Sequence, residues 1–253
     1  MDRTRAHVII PGFHAVKESL LNRASTVYEI WIEEGKRGSR ADEVLRLADS
    51  RSVAAVIKNK EAIEIIAPGI KHQGVLAFAE TYGYVEFDKL LHRPADLEGC
   101  RLLLATDHIT DEGNLGALMR TAAFFGVEGL ILPKDRSAQV TGRLLKRTSG
   151  AFVYLPVARV VNLRRALDTL RKRGFWIIGA AGGGLQSLYD FDWNRDTVLV
   201  LGNESKGLSL AVRDCCDDLV KIPGEGRVES LNVSVAGGII LSEIMRHRLM
   251  GKP

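Results

Sequence analysis

The sequence predicts an α/β protein in two parts, a small N-terminal α/β domain followed by a larger domain built on a parallel sheet. Strand-like and helix-like segments alternate along the whole chain, a pattern typical of a sheet covered by helices. From Cys100 onward the strand-like runs are almost continuously apolar, as in parallel strands that are buried on both faces. Between the two parts, residues 82–99 lack clean periodicity and contain Gly83, Pro94 and Gly99, so they are predicted to be a linker.

The N-terminal domain is expected to cover residues 1–81. It begins with a short strand and turn, HVIIPG, and an amphipathic helix whose apolar residues stand at helical spacing (Phe13, Val16, Leu20 and Leu21). The remaining elements are predicted strands at 27–32, 53–57 and 74–80 and predicted helices at 41–48 and 61–66. His72 is interpreted as a turn residue with satisfied hydrogen bonds, because no partner stands at a metal-binding spacing.

The C-terminal domain is expected to cover residues 100–253, and within the linker the segment Phe87–Leu91 is expected to pack locally. Predicted strands lie at 102–105, 129–132, 152–155, 175–180, 198–201 and 219–222. Predicted helices lie at 115–125, 141–148, 163–173, 208–216 and 233–248. The last helix ends in Arg246, His247 and Arg248, which suit the negative end of a helix dipole.

The composition is that of a soluble globular protein, with 46% apolar and 26% charged residues among 253. The apolar runs are much shorter than the ~18 residues of a membrane helix, and the start of the sequence has no signal-peptide pattern. The three cysteines, Cys100, Cys215 and Cys216, form no CxxC pair. We therefore expect small buried thiols rather than a disulfide framework or a zinc site, no metal, no membrane and a reducing cytoplasm.

Basic residues are concentrated in one stretch. Residues 134–173 contain eleven Lys or Arg residues against two Asp residues, whereas the whole chain has a net charge of +4. This density favours a polyanionic partner such as nucleic acid, held through phosphate contacts. For the part at 164–173 alone, a solvated helix face is the favoured interpretation.

Three loops that contain glycine follow predicted strands, at residues 179–184, 202–207 and 223–226. Neither a GxGxxG fingerprint nor a P-loop is present, since the only Lys of the second loop, Lys206, precedes its last glycine. In open α/β sheets ligands bind outside the carboxyl ends of strands. The loops therefore indicate a ligand with several edges, such as a nucleoside.

The stretch Ile222–Gly238 continues from the third loop into a helix. Ser230 and Asn232 are capping residue types just before that helix, and its small residues give it a slim face that another backbone or a flat ligand can approach. A simpler interpretation is a capped helix that packs on a core strand.

A second polar cluster, from Asp107 to Asn114, precedes the helix that carries Arg120. Asn114 is expected to be the N-cap of that helix. Arg120 stands on an otherwise apolar helix, where an Arg either reaches from the surface towards water or binds an anion with two hydrogen bonds.

Three segments in this order carry a family resemblance: DEGNLGALMRTAAFFGVEGLIL, LVLGNESKGLS and IPGEGRVESLNVSVAGGIILSEIMRHR. They resemble the three motifs of the SpoU (TrmH-type) ribose 2′-O-methyltransferases, which belong to the knotted SPOUT class. PGFHAVKESL and HQGVLAF resemble the start and end of that family's small RNA-binding domain, which is related in fold to certain ribosomal proteins. TSGAFVYLPVARVVNL resembles the group closest to the bacterial 23S rRNA guanosine 2′-O-methyltransferases. The family often has Asp-Pro-Gly-Asn where this chain has Asp111-Glu112-Gly113-Asn114, a difference that removes no chemical group.

The resemblance implies a deep trefoil knot in the C-terminal domain, a homodimer, S-adenosylmethionine as methyl donor, and RNA, with 23S rRNA favoured, as substrate. Residues that match the family's active-site positions are Asn114, Arg120, Glu204, Ser230 and Asn232. Residues that match cofactor contacts are Gly202, Ile222 and Leu231, and we add Asn203, Gly207 and Pro223 from the same loops. The N-terminal domain would recognise the substrate RNA.

The family role of Arg120 leaves two chemical alternatives. It helps the ribose hydroxyl lose its proton either as a base or by clamping the adjacent phosphate, and Arg normally stays protonated in proteins. Glu204 and Asn232 would orient Arg120 or the cofactor, Ser230 would hydrogen-bond near the RNA, and Asn114 would fix the loop or the nucleotide. Rival functions are methylation of a tRNA guanosine, a non-catalytic RNA-binding assembly factor on the same fold, and a nucleotide-binding α/β protein unrelated to RNA.

Overall fold

The computed structural model describes residues 7–22, 26–80, 84–92, 99–141, 144, 147–148, 150–227 and 230–250. These residues fall into two compact units. Unit 1 contains the described residues up to position 80 together with those between 139 and 154, and unit 2 contains those from 84 to 138 and from 155 to 250. Within these described ranges, no helix has the length and apolar character needed to cross a membrane.

Unit 1 is a mixed four-stranded sheet covered by helices, as its alternating pattern predicts. Its elements are β1 (His7–Pro11), α1 (Phe13–Leu21), β2 (Val27–Glu33), α2 (Ser39–Ser50), β3 (Ala54–Lys58), α3 (Lys60–Ile66) and β4 (Val75–Glu80). The strand order is β1-β4-β2-β3, in which β4 is antiparallel to both neighbours and β2 is parallel to β3. The predicted strands and helices of this part are confirmed to within about two residues at each end.

His72 is a structural residue in the turn before β4, which confirms its interpretation as a satisfied turn histidine. Its side chain is 10% exposed and its Nε2 lies 3.3 Å from Oε2 of Glu64. Its Nδ1 accepts the backbone N–H of Gly74 at 3.0 Å. Gly74 has a φ of +85°, a left-handed conformation in which a side chain would be strained.

The strand predicted at 152–155 is wrong. Residues Ala151–Tyr154 form a 3₁₀ turn that belongs to unit 1. The turn is fixed against α1 by two long-range hydrogen bonds, from Asn22 Nδ2 to the Val153 carbonyl at 2.5 Å and from Tyr154 Oη to Glu18 Oε2 at 2.6 Å. Half of the helix predicted at 141–148 lies outside the described residues.

Unit 2 is built on a seven-stranded sheet in which every described pair is parallel, as predicted. Its strands are β5 (Leu102–Thr106), β6 (Gly129–Pro133), β7 (Val157–Val160), β8 (Trp176–Ala180), β9 (Gln186–Ser187), β10 (Thr197–Leu201) and β11 (Asp218–Lys221). Its helices are α4 (Phe87–Leu91), α5 (Glu112–Phe124), α6 (Leu163–Arg171), α7 (Leu210–Arg213) and α8 (Val233–Met250). The strand order is β7-β6-β5-β10-β8-β11-β9, and the short β9 was not predicted.

Apolar strand residues fill the core of unit 2, and α4 packs against it through the buried Leu90. This contact confirms the local packing expected for Phe87–Leu91. The three cysteines are free thiols; Cys215 is buried, as predicted, whereas Cys100 and Cys216 are only half-buried, so the prediction of buried thiols is wrong for these two.

A buried arginine and a half-buried one stabilise the base of unit 2. Arg101 forms an ion pair with Glu128, with 2.8 Å between Nε and Oε2, and donates to the carbonyl of Leu90 at the end of α4. Arg248, near the end of α8, donates to four backbone carbonyls at 2.8–3.0 Å. Those carbonyls belong to Cys100, Arg101, Trp193 and Arg195.

Candidate active site

The three glycine-bearing loops meet at one edge of the unit 2 sheet. They follow β8, β10 and β11, which are neighbours in the order β10-β8-β11 and run parallel. Their carboxyl ends therefore lie side by side, where open α/β sheets bind ligands.

The loop after β10 folds back on itself as a tight turn. The backbones of Asn203 and Gly207 exchange two hydrogen bonds of 2.9 Å each. The Asn203 side chain accepts the amides of Ser205 and Lys206 and donates to the His108 carbonyl at 2.8 Å, which ties this loop to the loop after β5. Gly202 is obligatory, because a Cβ there would lie 2.2 Å from the carbonyl carbon of Gly207.

The N-cap of α5 is Asp111, so the prediction of Asn114 as N-cap is wrong. The Asp111 carboxylate accepts the backbone N–H of Asn114 at 2.7 Å, which is the usual contact between an N-cap and the third helical residue. Since Asp111 fulfils the capping role, the Asn114 side chain is available for other contacts. Glu112 occupies the first helical position, where the dipole favours an acidic side chain.

A chain of hydrogen bonds joins one residue from each of the three motifs. Asn114 Nδ2 donates to Glu204 Oε1 at 3.1 Å, and Asn232 Nδ2 donates to Asn114 Oδ1 at 2.8 Å. Glu204 Oε2 also accepts a hydrogen bond of 3.3 Å from Asn203 Nδ2. The structure therefore brings together three of the five proposed catalytic residues, although they are about 90 and 118 positions apart in sequence.

Asn232 also caps α8, as its residue type predicted. Its Oδ1 accepts the backbone N–H of Ser234 at 2.9 Å and that of Val235 at 3.4 Å. The side-chain oxygen thus serves the helix while the side-chain nitrogen holds Asn114. One amide therefore caps α8 and holds Asn114 at the same time.

The slim face of α8 packs on α5 within the same chain. A Cβ at Gly237 would lie 2.5 Å from Leu118 Cδ1, and one at Gly238 would lie 3.7 Å from Thr121 Cγ2. Because Leu118 and Thr121 follow Asn114 by four and seven residues, they share its face of α5. This close approach is what brings Asn232 to Asn114.

Arg120 and Ser230 are exposed side chains on the segments that carry this network. Arg120 is exposed on α5, six residues after Asn114, which at 3.6 residues per turn places it on a different face of the helix. Ser230 is exposed two residues before Asn232.

The proposed cofactor residues surround the same strand ends. Gly202 is buried, Asn203 and Ile222 are half-buried, and Gly207 and Pro223 are exposed. Leu231 is 49% exposed, an unusual position for a leucine beside a polar network. Gly184, in the loop after β8, packs so closely that its Cβ would lie 2.7 Å from the Leu219 carbonyl oxygen.

Comparison with known proteins identifies both parts of the chain. Residues 101–242, more than half of the chain, match the SpoU rRNA Methylase family. Residues 9–85 match the RNA 2′-O ribose methyltransferase substrate binding domain. The chain belongs to the SpoU rRNA methylase family.

Other members of the SpoU family resemble this one over nearly their whole length. A 23S rRNA (guanosine-2′-O-)-methyltransferase RlmB from Ralstonia nicotianae is 40% identical, with 95% of this chain and 96% of that protein covered. The RlmB protein of Pseudomonas aeruginosa is 39% identical, with coverage of 94% and 95%. The crystal structure of the SpoU methyltransferase AviRb from Streptomyces viridochromogenes with AdoMet has a TM-score of 0.80, 25% identity and coverage of 97% and 92%.

Sequence reasoning missed a buried acid next to the SpoU motifs. The Asp107 side chain is 1% exposed, accepts the backbone N–H of Ser209 at 2.6 Å and contacts Nδ1 of His108 at 2.6 Å. The signal for it was present, because an acidic residue directly after a mostly apolar strand is placed at the ligand-binding edge of a sheet. Within the described ranges, no group of three or more His, Cys, Asp or Glu side chains could hold a metal ion.

Proposed function

We propose that this protein transfers a methyl group from S-adenosylmethionine to the ribose 2′-hydroxyl of a guanosine in 23S rRNA. The observation that carries the proposal is the hydrogen-bonded chain Glu204–Asn114–Asn232 beside the loops after β8, β10 and β11. The RlmB relatives carry this activity in their names and match the chain over both parts, which supports the same substrate class here.

The residues at the strand ends fit S-adenosylmethionine. Adenosyl ligands are held in largely apolar pockets with a few fixed polar groups, often from the backbone. Ile222 and Leu231 offer apolar surface, and the turn from Gly202 to Gly207 offers backbone groups at close range. Asn203 and Pro223 complete the proposed contacts. When bound, the cofactor supplies an activated methyl group on a sulfonium ion, and the AdoMet complex of AviRb supports this choice. We also propose that these loops form the deep trefoil knot of the SPOUT class.

The protein's own residues must orient the ribose and help its hydroxyl lose a proton. We propose that Asn114 positions the nucleotide, because Glu204 and Asn232 hold its amide from both sides. Arg120, exposed on α5, would clamp the phosphate beside that ribose and favour the alkoxide electrostatically. Ser230 would hydrogen-bond the RNA near the same point.

RNA recognition would involve both parts of the chain. We propose residues 1–81 as the substrate-binding domain, 82–99 as the linker and 100–253 as the methyltransferase domain. Some of the eleven basic residues between 134 and 173 add phosphate contacts, so RNA affinity should fall steeply with salt. The protein would act as a cytoplasmic homodimer, and the exposed Phe124 and Val235 on the paired helices α5 and α8 supply apolar surface for a second copy.

The test is transfer of a labelled methyl group to total RNA, followed by mapping of the 2′-O-methyl position. A 2′-O-methylguanosine in 23S rRNA is expected. A label confined to tRNA would reject the substrate, and RNA binding without any transfer would reject the enzyme.

The role of Arg120 is tested by Arg120→Ala beside Arg213→Ala, which removes an equally exposed arginine from α7. We expect Arg120→Ala to abolish methylation and to leave cofactor affinity within about twofold, with Arg213→Ala close to the wild type in both. A comparable loss of cofactor binding in Arg120→Ala would contradict the proposed role.

A further inference from the structure

A cleft of about 340 Å³ opens on the other half of the unit 2 sheet, away from the candidate active site. Residues directly after β5, β6 and β7 line it, together with the starts of α6 and α7. It lies at the carboxyl ends of parallel strands, where this class of sheet binds ligands, and its volume is within the ~300–1,000 Å³ of small-ligand sites. None of the eleven proposed catalytic and cofactor residues is among those that line it.

A fixed histidine stands in this cleft. The buried Asp107 carboxylate contacts His108 Nδ1 at 2.6 Å, and the Ser209 amide occupies its other oxygen at 2.6 Å. A carboxylate accepts hydrogen bonds and donates none, so Nδ1 carries the N–H and donates to Asp107, which holds the ring in one orientation and leaves Nε2 as a hydrogen-bond acceptor. Nε2 is then the nitrogen left for a ligand, on a side chain that is 39% exposed.

Two arginines give the cleft a positive charge. Arg136 and Arg164 line it and are exposed at its mouth. The negative charges in the cleft are those of Asp107 and the exposed Asp135. The Asp107 carboxylate is already hydrogen-bonded to His108 and to a backbone amide. Asn162 caps α6 by accepting the amide of Arg165 at 2.9 Å, and the positive end of that helix dipole adds to the field in the cleft.

The backbone around these groups is held in an unfavourable conformation. His108 has a φ of +61° and Arg136 a φ of +50°, in the left-handed region that residues with a Cβ rarely adopt. Such conformations persist where the surrounding structure imposes them, often at ligand sites. For His108 the constraint is visible, since its carbonyl accepts a hydrogen bond from Asn203 in the loop after β10.

This contact also connects the cleft to the candidate active site, because the Asn203 side chain donates a hydrogen bond to the Glu204 carboxylate as well. A ligand in the cleft would therefore lie one short loop away from Asn114. Since both arginines are at the open mouth, the cleft suits an anionic group that remains attached to a larger molecule.

We propose that the cleft binds a backbone phosphate of the RNA, at a nucleotide close to the one that is methylated. Arg136 and Arg164 are the charged ligands of that phosphate, and Nε2 of His108, which has no proton in this tautomer, accepts a hydrogen bond from a hydroxyl of the RNA rather than contacting the phosphate. The inference rests on the proposed function, since it takes RNA as the polyanion.

The test compares two double variants that each remove two positive charges from the same basic stretch. Arg136→Asn/Arg164→Gln empties the cleft of its arginines, and the Asn tolerates the left-handed backbone. Arg165→Gln/Arg173→Gln removes exposed arginines that do not line it. Binding of an rRNA fragment is measured across a range of salt concentrations, without methyl transfer.

We expect the cleft variant to bind RNA about tenfold more weakly and to lose about one unit of the slope of log K against log salt, as for one lost phosphate contact. The matched variant should change affinity by less than about twofold. Equal effects of the two variants would overturn the proposal, because they would reduce it to general surface charge.

A second measurement identifies the source of the phosphate. A series of RNAs is prepared, each with one uncharged methylphosphonate linkage near the methylated nucleotide. One of these RNAs should bind the wild-type protein about tenfold more weakly than unmodified RNA does. The same RNA should bind the cleft variant as tightly as unmodified RNA does, because that variant has already lost the phosphate contact. If inorganic phosphate binds in the cleft and no methylphosphonate RNA shows this effect, the site belongs to a small ligand and the RNA assignment is overturned. RNA binding through the cleft by a protein that transfers no methyl group would reject the enzyme and leave this inference standing.

Discussion

Replacement of Gly202 by alanine should open the turn that holds the proposed cofactor loop. An added Cβ would lie 2.2 Å from the Gly207 carbonyl carbon, 2.4 Å from the Leu208 nitrogen and 2.5 Å from the Gly207 oxygen. All three are backbone atoms, so no side-chain rotation can relieve the overlap. The chain must move instead.

The cost can be worked from the bonds that this movement breaks. The turn is closed by the two hydrogen bonds between Asn203 and Gly207, each of 2.9 Å. At about 1 kcal/mol for each bond, and about 1–3 kcal/mol for overpacking, the free energy of unfolding should fall by about 3–5 kcal/mol. S-adenosylmethionine affinity should fall at least tenfold, because Gly202 begins the proposed cofactor loop.

Urea unfolding measures the first quantity and calorimetric titration with S-adenosylmethionine the second. Gly182→Ala is the matched control, since an added Cβ there meets no atom within 4 Å and the backbone is not left-handed. Gly207→Ala separates backbone strain from overlap, because its φ is +66° but the space around it is open, and it should cost about 1–2 kcal/mol. If Gly202→Ala unfolded within 0.5 kcal/mol of the wild type and bound the cofactor equally well, the steric argument would be refuted.

Three further results are expected. Asn232→Asp should keep the cap of α8, and with it the free energy of unfolding, but should lose the donor to Asn114 and most of the methyl transfer. Asn232→Ala should lose methyl transfer as well and should also lower the free energy of unfolding by about 1 kcal/mol. Urea unfolding and methylation kinetics separate the two effects. The hydrogen bond to Glu18 raises the pKa of Tyr154 to about 12, so the unfolding free energy should stay level below pH 10 and then decline towards pH 12, and Tyr154→Phe should decline less. Burial raises the pKa of the Cys216 thiol from 9.0 to about 12, so at pH 8 its reactive thiolate is about a thousandfold rarer and iodoacetamide should label it, as read by mass spectrometry, only after unfolding in urea.

The sheet of unit 2 is predictable because parallel strands buried on both faces leave continuous apolar runs in the sequence. The segment at 152–155 has the same apolar character and yet is a 3₁₀ turn. Its conformation depends on two hydrogen bonds, from Tyr154 to Glu18 of α1 and from Asn22, directly after α1, to the Val153 carbonyl, with partners more than a hundred positions apart. A local pattern carries no information about such distant partners.

Some features of the candidate site can likewise be predicted from the sequence and others cannot. That the loops share one sheet edge follows from parallel strands, and that Asn232 caps α8 follows from its residue type. The capping residue of α5 was misassigned because Asp111 and Asn114 are both good N-caps, and only the backbone geometry distinguishes them. The contact between Asp107 and His108 also depends on geometry, since two adjacent residues of a strand would point to opposite faces and here the left-handed φ of His108 turns it back.

The bonds of Arg248 have a consequence for the order of events in synthesis. This residue donates to the carbonyl of Cys100, which the ribosome adds 148 positions earlier, and β5 next to it acquires its second neighbour, β10, only near the end of the chain. Until then a nascent chain presents an unpaired apolar edge, which is the kind of surface that aggregates or recruits a chaperone. Contacts of such long sequence separation also slow folding. Unit 2 should therefore close late and as a whole, so that α8 both carries a proposed active-site amide and completes the folding of the unit.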